Sequence, residues 1–204
     1  IKSFKTHFPS IKNVAVFDTS FHQTMDPVHY LYPLPYSLYE KFHIRKYGFH
    51  GISHAYIAET IEKIFQQEEH PKQHVKIISC HLGNGASICA IKEQQSVNTS
   101  MGFTPIDGLM MGSRCGSIDP MIIPYLVERQ KMPINEVKKL LNEASGLLGI
   151  SELSNDMRDL IQSATEGNQK ATLAIEMFVN RVAHTIASYI VDLDGLDALV
   201  FTGG

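Results

Sequence analysis

Residues 98–120, NTSMGFTPIDGLMMGSRCGSIDP, set the strongest constraint on what this chain can become. The stretch has many apolar residues but neither the 3.6-residue period of a helix nor the two-residue period of a strand. Glycines at 102, 108, 112 and 116 punctuate it, and only Asp107, Arg114 and Asp119 are charged. A long glycine-hinged loop inside a compact chain is more often functional than connecting, so the flanking elements must be arranged to hold it. A single arginine there suits a planar anion, because guanidinium matches carboxylate or phosphate with paired hydrogen bonds. The other reading is a glycine-rich surface loop whose Arg114 makes a structural ion pair. On these residues alone both stay open.

The flanking segments alternate between strand and helix patterns. Residues 75–80 (VKIISC) and 86–91 (ASICAI) predict two strands joined by His81, Leu82, Gly83, Asn84 and Gly85. Asn-Gly predicts a tight hairpin turn; alternatively, Gly83 and Gly85 let backbone amides approach a phosphate, with Asn84 as a further donor. After a turn at 92–95, residues 96–100 predict a third strand that feeds the long loop. Residues 13–17 (NVAVF) predict a short strand, followed at once by Asp18. An acid there is either a turn former or a group at the carboxyl end of a buried strand, where open α/β sheets hold ligands. Prolines 27, 33 and 35 predict an irregular, extended path over 26–48,.

YGFHGISH (47–54) leads into a helix capped by Ser53, with Ile57, Ala58, Ile61, Ile64 and Phe65 on one face,. His50 precedes that helix, where free N–H groups favour anions. His50 and His54 are four apart, but Gly51 interrupts the helix that a metal-binding pair would need. Asp119-Pro120 opens a helix, and Pro133 opens another that closes at Gly146,. Residues 151–159 form a polar, cap-rich junction. The longest helix spans 168–191, with Ala171, Ala174, Ile175, Phe178, Val182, Ile186, Tyr189 and Ile190 as its core stripe. Residues 197–201 predict a last strand entering Thr202-Gly203-Gly204. A strand meander followed by helices indicates α/β architecture.

With 44% hydrophobic and 19% charged residues, the 204-residue chain is globular rather than disordered,. A net charge of −3 leaves no footprint for nucleic acid or an acidic membrane surface,. No apolar run reaches the ~18 residues that span a bilayer. Cys80, Cys89 and Cys115 form no CxxC pair, which fits a reducing cytoplasm,. A start at Ile1 and a stop just after a strand suggest an internal piece of a longer protein.

In order and spacing, VFDTSFH, YGFHGISH, HLGNGAS, NTSMGFTPIDGLMMGSRCGSIDP, SELSNDMRD and FTGG resemble the acetate kinase (acetokinase) family. The resemblance covers residues 14–204. It implies an α/β, actin-like (ribonuclease H-like) ATPase fold, with residues 1–22 as the tail of an N-terminal domain and 23–204 as most of the C-terminal nucleotide-binding domain. It also implies reversible phosphoryl transfer between ATP and acetate, giving acetyl phosphate and ADP, with Mg2+ (or Mn2+) in a cytoplasmic homodimer.

Carried over by position, the resemblance makes Asp18, His50 and Arg114 the catalytic group, with Asp18 near the metal. His81, Leu82, Gly83, Asn84 and Gly85 become the phosphate-binding hairpin, and Phe49 and Pro105 part of the acyl pocket. Asp156, Met157 and Arg158 become the segment beside base and ribose, and Gly203 and Gly204 the start of the adenosine motif. The family's first phosphate loop, an upstream arginine and histidine, and a late metal-binding glutamate have no counterpart here, so little activity is expected of these residues alone.

The chemistry is consistent with that resemblance. Phosphoryl transfer needs placement and counter-charge around a spreading negative charge. Acetate is already ionised at neutral pH and needs no general base, so Asp18 suits an electrostatic role and direct in-line transfer follows. The rival readings are a propionate or butyrate kinase and a non-catalytic, actin-like nucleotide-binding module. A sugar kinase fits less well, because it needs a base and a polar pocket.

Overall fold

The computed structural model describes residues 2–67, 72 and 74–203. Four strands form one sheet: β1 (Lys76–Leu82), β2 (Ala86–Lys92), β3 (Gln95–Thr99) and β4 (Ala198–Thr202), in the order β3-β2-β1-β4. The first three make the expected antiparallel meander, and β4 returns parallel to β1. The β2–β3 turn has φ of 53° at Glu93 and 60° at Gln94, the paired positive values of a type I′ turn made here without glycine. The β1–β2 connection differs from expectation. Leu82 pairs with Ala86, so Gly83, Asn84 and Gly85 form a three-residue loop, and none of them has positive φ.

β1 and β2 are buried on both faces, which explains why they read as continuous apolar runs. One face carries Ile78, Cys80, Ile88 and Ala90 and packs on Val182, Tyr189 and Leu193 of a 25-residue helix, Gln169–Leu193, and on Met101, Leu109 and Met111 of the long loop. The opposite face carries Ile77, Cys89 and Ile91 and packs on Ile57 and Ala58 of the helix Gly51–Gln66. The result is a helix–sheet–helix sandwich. Cys80 and Cys89 are core residues, and no cysteine is bridged among the described residues.

In chain order the helices are α1 (Lys2–His7), α2 (Pro27–Tyr30), α3 (Tyr36–Phe42), α4 (Gly51–Gln66), α5 (Ile122–Glu128), α6 (Ile134–Glu143), α7 (Gly146–Ser151), α8 (Met157–Thr165) and α9 (Gln169–Leu193). Asn168 caps α9 by accepting from the amides of Lys170 and Ala171. Several expectations are corrected. Residues 26–48 contain α2 and α3, because Pro27 and Pro35 stand at helix starts, where a missing N–H costs nothing,. Gly146 begins α7 rather than only closing α6. Residues 13–17 form no strand: Val14, Val16 and Phe17 are 83%, 70% and 67% exposed, and β-branched residues need a neighbouring strand to become one. β4 is an edge of the sheet among the described residues, with Leu199 and Phe201 facing outward.

Residues 101–119 contain no helix or strand, as expected, yet Met101, Leu109, Met110 and Met111 are buried. The expected strand stops at Thr99 rather than Ser100, and the helix expected from Asp119-Pro120 begins only at Ile122. The loop is pinned by Gly112 N–H to Asn84 O (3.1 Å), Leu147 N–H to Met111 O (2.9 Å) and Cys115 N–H to Leu141 O (3.0 Å). Gly146, at φ +62°, lies so close that an added Cβ would sit 2.1 Å from Met111 O and 2.7 Å from Arg114 O. Gly167, at φ +94°, would meet nothing within 4 Å. Gly167→Ala should therefore cost about 1–2 kcal/mol of unfolding free energy, the left-handed strain alone. Gly146→Ala should cost about 1–3 kcal/mol more, from overpacking against the loop. Urea unfolding of the two variants checks the difference.

Candidate functional site

The amino end of α4 is capped from far away in sequence. Asp18 Oδ2 accepts from the His50 amide at 2.6 Å, Oδ1 accepts from Ile52 at 3.5 Å, and the Asp18 carbonyl accepts from Gly51 at 2.8 Å. A side chain on residue 51 would put its Cβ 2.2 Å from that carbonyl, so glycine is required there. The expected cap, Ser53, instead lies in the first turn of α4 and bonds His81. The carboxylate thus supplies the anion expected at this helix start. His50 is held at φ 56°, a left-handed conformation that a non-glycine residue adopts at a cost.

Held this way, the His50 ring stacks on His81 from the carboxyl end of β1, with centroids 4.2 Å apart. Gly85 completes the corner: a Cβ there would lie 3.4 Å from Arg114 Nη1 and 3.6 Å from His50 Nε2. Asp18, His50, His81, Gly85 and Arg114 are therefore gathered in one place. None of the ion pairs among the described residues involves Arg114, which disfavours the structural ion-pair reading. Its Nη1 contacts Pro105 O at 3.3 Å and Met111 Sδ at 3.9 Å. Arg114 also borders a cavity of about 470 Å3 shared with Pro105, Ile106, Lys138 and Leu141. A larger hollow of about 550 Å3, bounded by Lys46, Asp107 and Arg181, contains none of these site residues.

The remaining predicted residues fall at different distances from this corner. The Phe49 carbonyl accepts from buried His22 at 2.9 Å, and its ring packs on the core, as does Leu82. Asn84 Oδ1 accepts from Asn155 at 2.9 Å, which brings the 155–158 segment beside the hairpin. Asp156 caps α8 through the Arg158 amide and also pairs with the exposed Arg158 side chain. That pairing holds the Asp156 carboxyl down at about 2. Met157 packs in the cluster around Leu160. Gly203 lies against the His81 ring and Gly83. Gly204 lies outside the described residues.

Burial, and then His81, hold His50 down at about 4, partly opposed by Asp18. Burial likewise lowers His22, His54 and His81. All four imidazoles are thus neutral at pH 7, and Arg114 is the cation of the site. Among the described residues, no three His, Cys, Asp or Glu side chains converge as a metal cage.

Sequence reading did not single out Ser79 and Ser87. They are fully buried and bond His54, and Ser87 also bonds His50. Two serines at inward positions of otherwise apolar strands are the signal that could have found them.

The acetokinase family profile matches residues 1–204. The chain belongs to the acetokinase family. It is 51% identical over 204 residues to an acetate kinase of Methanosarcina mazei, covering 100% of this chain and 49% of that protein. It is 52% identical over 205 residues to a propionate kinase of Citrobacter rodentium, covering 100% of this chain and 50% of that one. Among solved structures, a Porphyromonas gingivalis acetate kinase superposes with a TM-score of 0.93 at 40% identity, covering 100% of this chain and 50% of that one. The acetokinase chain thus has an actin-like ATPase fold, and it spans about half the length of these relatives.

Two outcomes follow from the capping and the depressed imidazoles. Asp18→Ala should lower stability by about 1 kcal/mol through loss of the α4 cap. Between pH 6.5 and about 4 the unfolded chain binds protons that folded His50 refuses. Stability is then fully present above 6.5 and falls as pH drops through that window, which urea midpoints at pH 7 and pH 5 would register.

Proposed function

We propose that the whole protein is a carboxylate kinase that transfers the terminal phosphoryl group of ATP to acetate, giving acetyl phosphate and ADP, reversibly and in line. The supporting observation is the gathering of Asp18, His50, His81, Gly85 and Arg114 at one end of the sheet. Arg114 supplies counter-charge to the planar phosphoryl group and the carboxylate. His50, being neutral, contributes a directed hydrogen bond rather than a charge. Gly83 and Gly85 let amides close on phosphate oxygens, while residues 156–158 and Gly203 lie toward the nucleotide.

Mg2+, with Mn2+ as an alternative, fits only partly. Among the described residues Asp18 is the one carboxylate at the corner and already faces the His50 and Ile52 amides, so it would hold the ion through water rather than directly. When bound, the ion neutralises charge on the transferring phosphates.

A propionate or butyrate substrate is the second reading, favoured by the equally similar propionate kinase and by the apolar Pro105, Ile106 and Leu141 around the Arg114 cavity. One methylene is worth only about 1–3 kcal/mol of discrimination. A non-catalytic module would leave Arg114, which has no carboxylate partner among the described residues, without a charge to meet. We assign residues 1–22 to the tail of a first domain and 23–204 to most of a second. The unbridged thiols favour a reducing, cytoplasmic setting. No helix among the described residues is long and apolar enough to cross a membrane.

A homodimer has a candidate surface on the outer side of α9, where Val179 and Ile190, about 20° apart around the helix, are exposed. Val179→Asp should shift the whole protein toward monomer in size-exclusion chromatography. Hydroxamate formation with acetate, propionate and butyrate should favour acetate. Arg114→Ala should cost about 10²–10³-fold in kcat. Inversion at a chiral phosphorus is expected, and net retention would overturn direct transfer.

A further inference from the structure

On the α4 side of the sheet four polar residues form a file from the interior to the cleft. Ser79 Oγ lies 3.0 Å from His54 Nδ1, His54 Nε2 lies 2.8 Å from Ser87 Oγ, and Ser87 Oγ lies 2.9 Å from His50 Nδ1. The first three side chains are fully buried. Counting protons decides how these contacts run. A neutral imidazole brings one N–H, and a serine brings one O–H. Ser87 touches two ring nitrogens and can donate to only one, so the other must donate to it.

Two polarities satisfy every link with the Ser87 O–H engaged; a third, in which His54 Nε2–H and His50 Nδ1–H both donate to Ser87, strands the buried Ser87 O–H without an acceptor and is disfavoured for that cost,. In the outward one, Ser79 O–H donates to His54 Nδ1, His54 Nε2–H donates to Ser87, and Ser87 O–H donates to His50 Nδ1. His50 then keeps its proton on Nε2. In the inward one every donor reverses and His50 Nε2 is bare. The inner end distinguishes them. Ser79 Oγ has no other hydrogen-bond partner among the described residues, so the inward polarity strands a buried O–H without an acceptor, and a stranded buried donor is costly.

A neighbouring pair shows the outward arrangement without ambiguity. His22 Nε2 faces the Phe49 carbonyl at 2.9 Å and must donate to it, which makes Nδ1 the acceptor for Ser96 O–H at 2.9 Å.

We propose that Ser79, His54 and Ser87 are positioning residues that fix His50 as an Nε2–H donor aimed at the corner shared by Gly85 and Arg114. This rests on the carboxylate-kinase reading for its purpose, because the group to be met there is a phosphoryl oxygen. The file gives His50 a defined donor without a positive charge, and it sets that direction from a serine two hydrogen-bonded residues away.

The test is the tautomer of His50, read by long-range 1H–15N correlation in the natural protein with labelled histidine at pH 7. His50 signals are assigned by their loss in His50→Asn. The expected result is a protonated Nε2 and a bare Nδ1. Ser87→Ala should convert His50 to a mixture of tautomers, as should Ser79→Ala, which touches nothing in the cleft. Ser87→Thr, which keeps the hydroxyl, should restore the single tautomer.

In turnover, Ser87→Ala should lower kcat about 10–100-fold, the usual cost of removing a partner that orients a functional histidine, with KM for the carboxylate nearly unchanged. A bare His50 Nε2 in the natural protein overturns the proposal, and so does a His50 spectrum indifferent to both alanine variants. Should Ser87→Ala fail to fold, the natural protein and Ser79→Ala still decide. The tautomer needs no turnover to be read. The expected tautomer in a protein without kinase activity refutes the function alone, and an active kinase with bare Nε2 refutes only the file.

Discussion

A carboxylate capping a helix from 32 residues earlier in the chain is the interaction on which the site rests. Without Asp18, the first amides of α4 would have to find water, and His50 would lose the contact that compensates its left-handed backbone. With it, the His50 ring is directed across the end of β1 onto His81. The same carboxylate closes the helix start and sets the local field, so a structural and an electrostatic duty meet in one side chain. This also explains the GFHG sequence: residue 51 must be glycine because the Asp18 backbone occupies the space of a side chain.

The second support is the long loop, which is irregular but not loose. Its Met101 and Met111 fill the space between sheet and α9, Met110 packs with Leu147, Leu160 and Ala171, and its backbone is tied to the β1–β2 hairpin and to α7. Arg114 therefore projects from just beyond a fully buried run, Leu109 to Gly112. That is the kind of platform a guanidinium needs if it is to meet an anion without first being ordered by it.

Much of this was legible in the residues. The meander, the return strand and α9 follow from apolar period and caps, and Asn168 sets the start of α9 as Ser, Asp and Asn caps do generally. The order of the motifs exposed the family. What was not legible depended on distant partners. Ser53 looks like a cap, but the cap comes from Asp18, which no local pattern can reveal. Asn-Gly looks like a two-residue turn, but the register Leu82 to Ala86 leaves three residues in the loop. Residues 13–17 have the composition of a strand and no neighbour to pair with among the described residues. Ser79 and Ser87 read as small strand residues until their histidine partners are seen across the sheet face.

The exposed segment 13–17 and the open side of β4 have a shared colloidal consequence. Among the described residues each offers unpaired backbone beside apolar side chains, Val14 and Val16 in one case and Leu199 and Phe201 in the other. Such edges template strand addition between molecules. Residues 1–204 produced by themselves would accordingly be prone to β-rich clumping at high concentration, and a soluble preparation needs something, covalent or added, that shields those two borders.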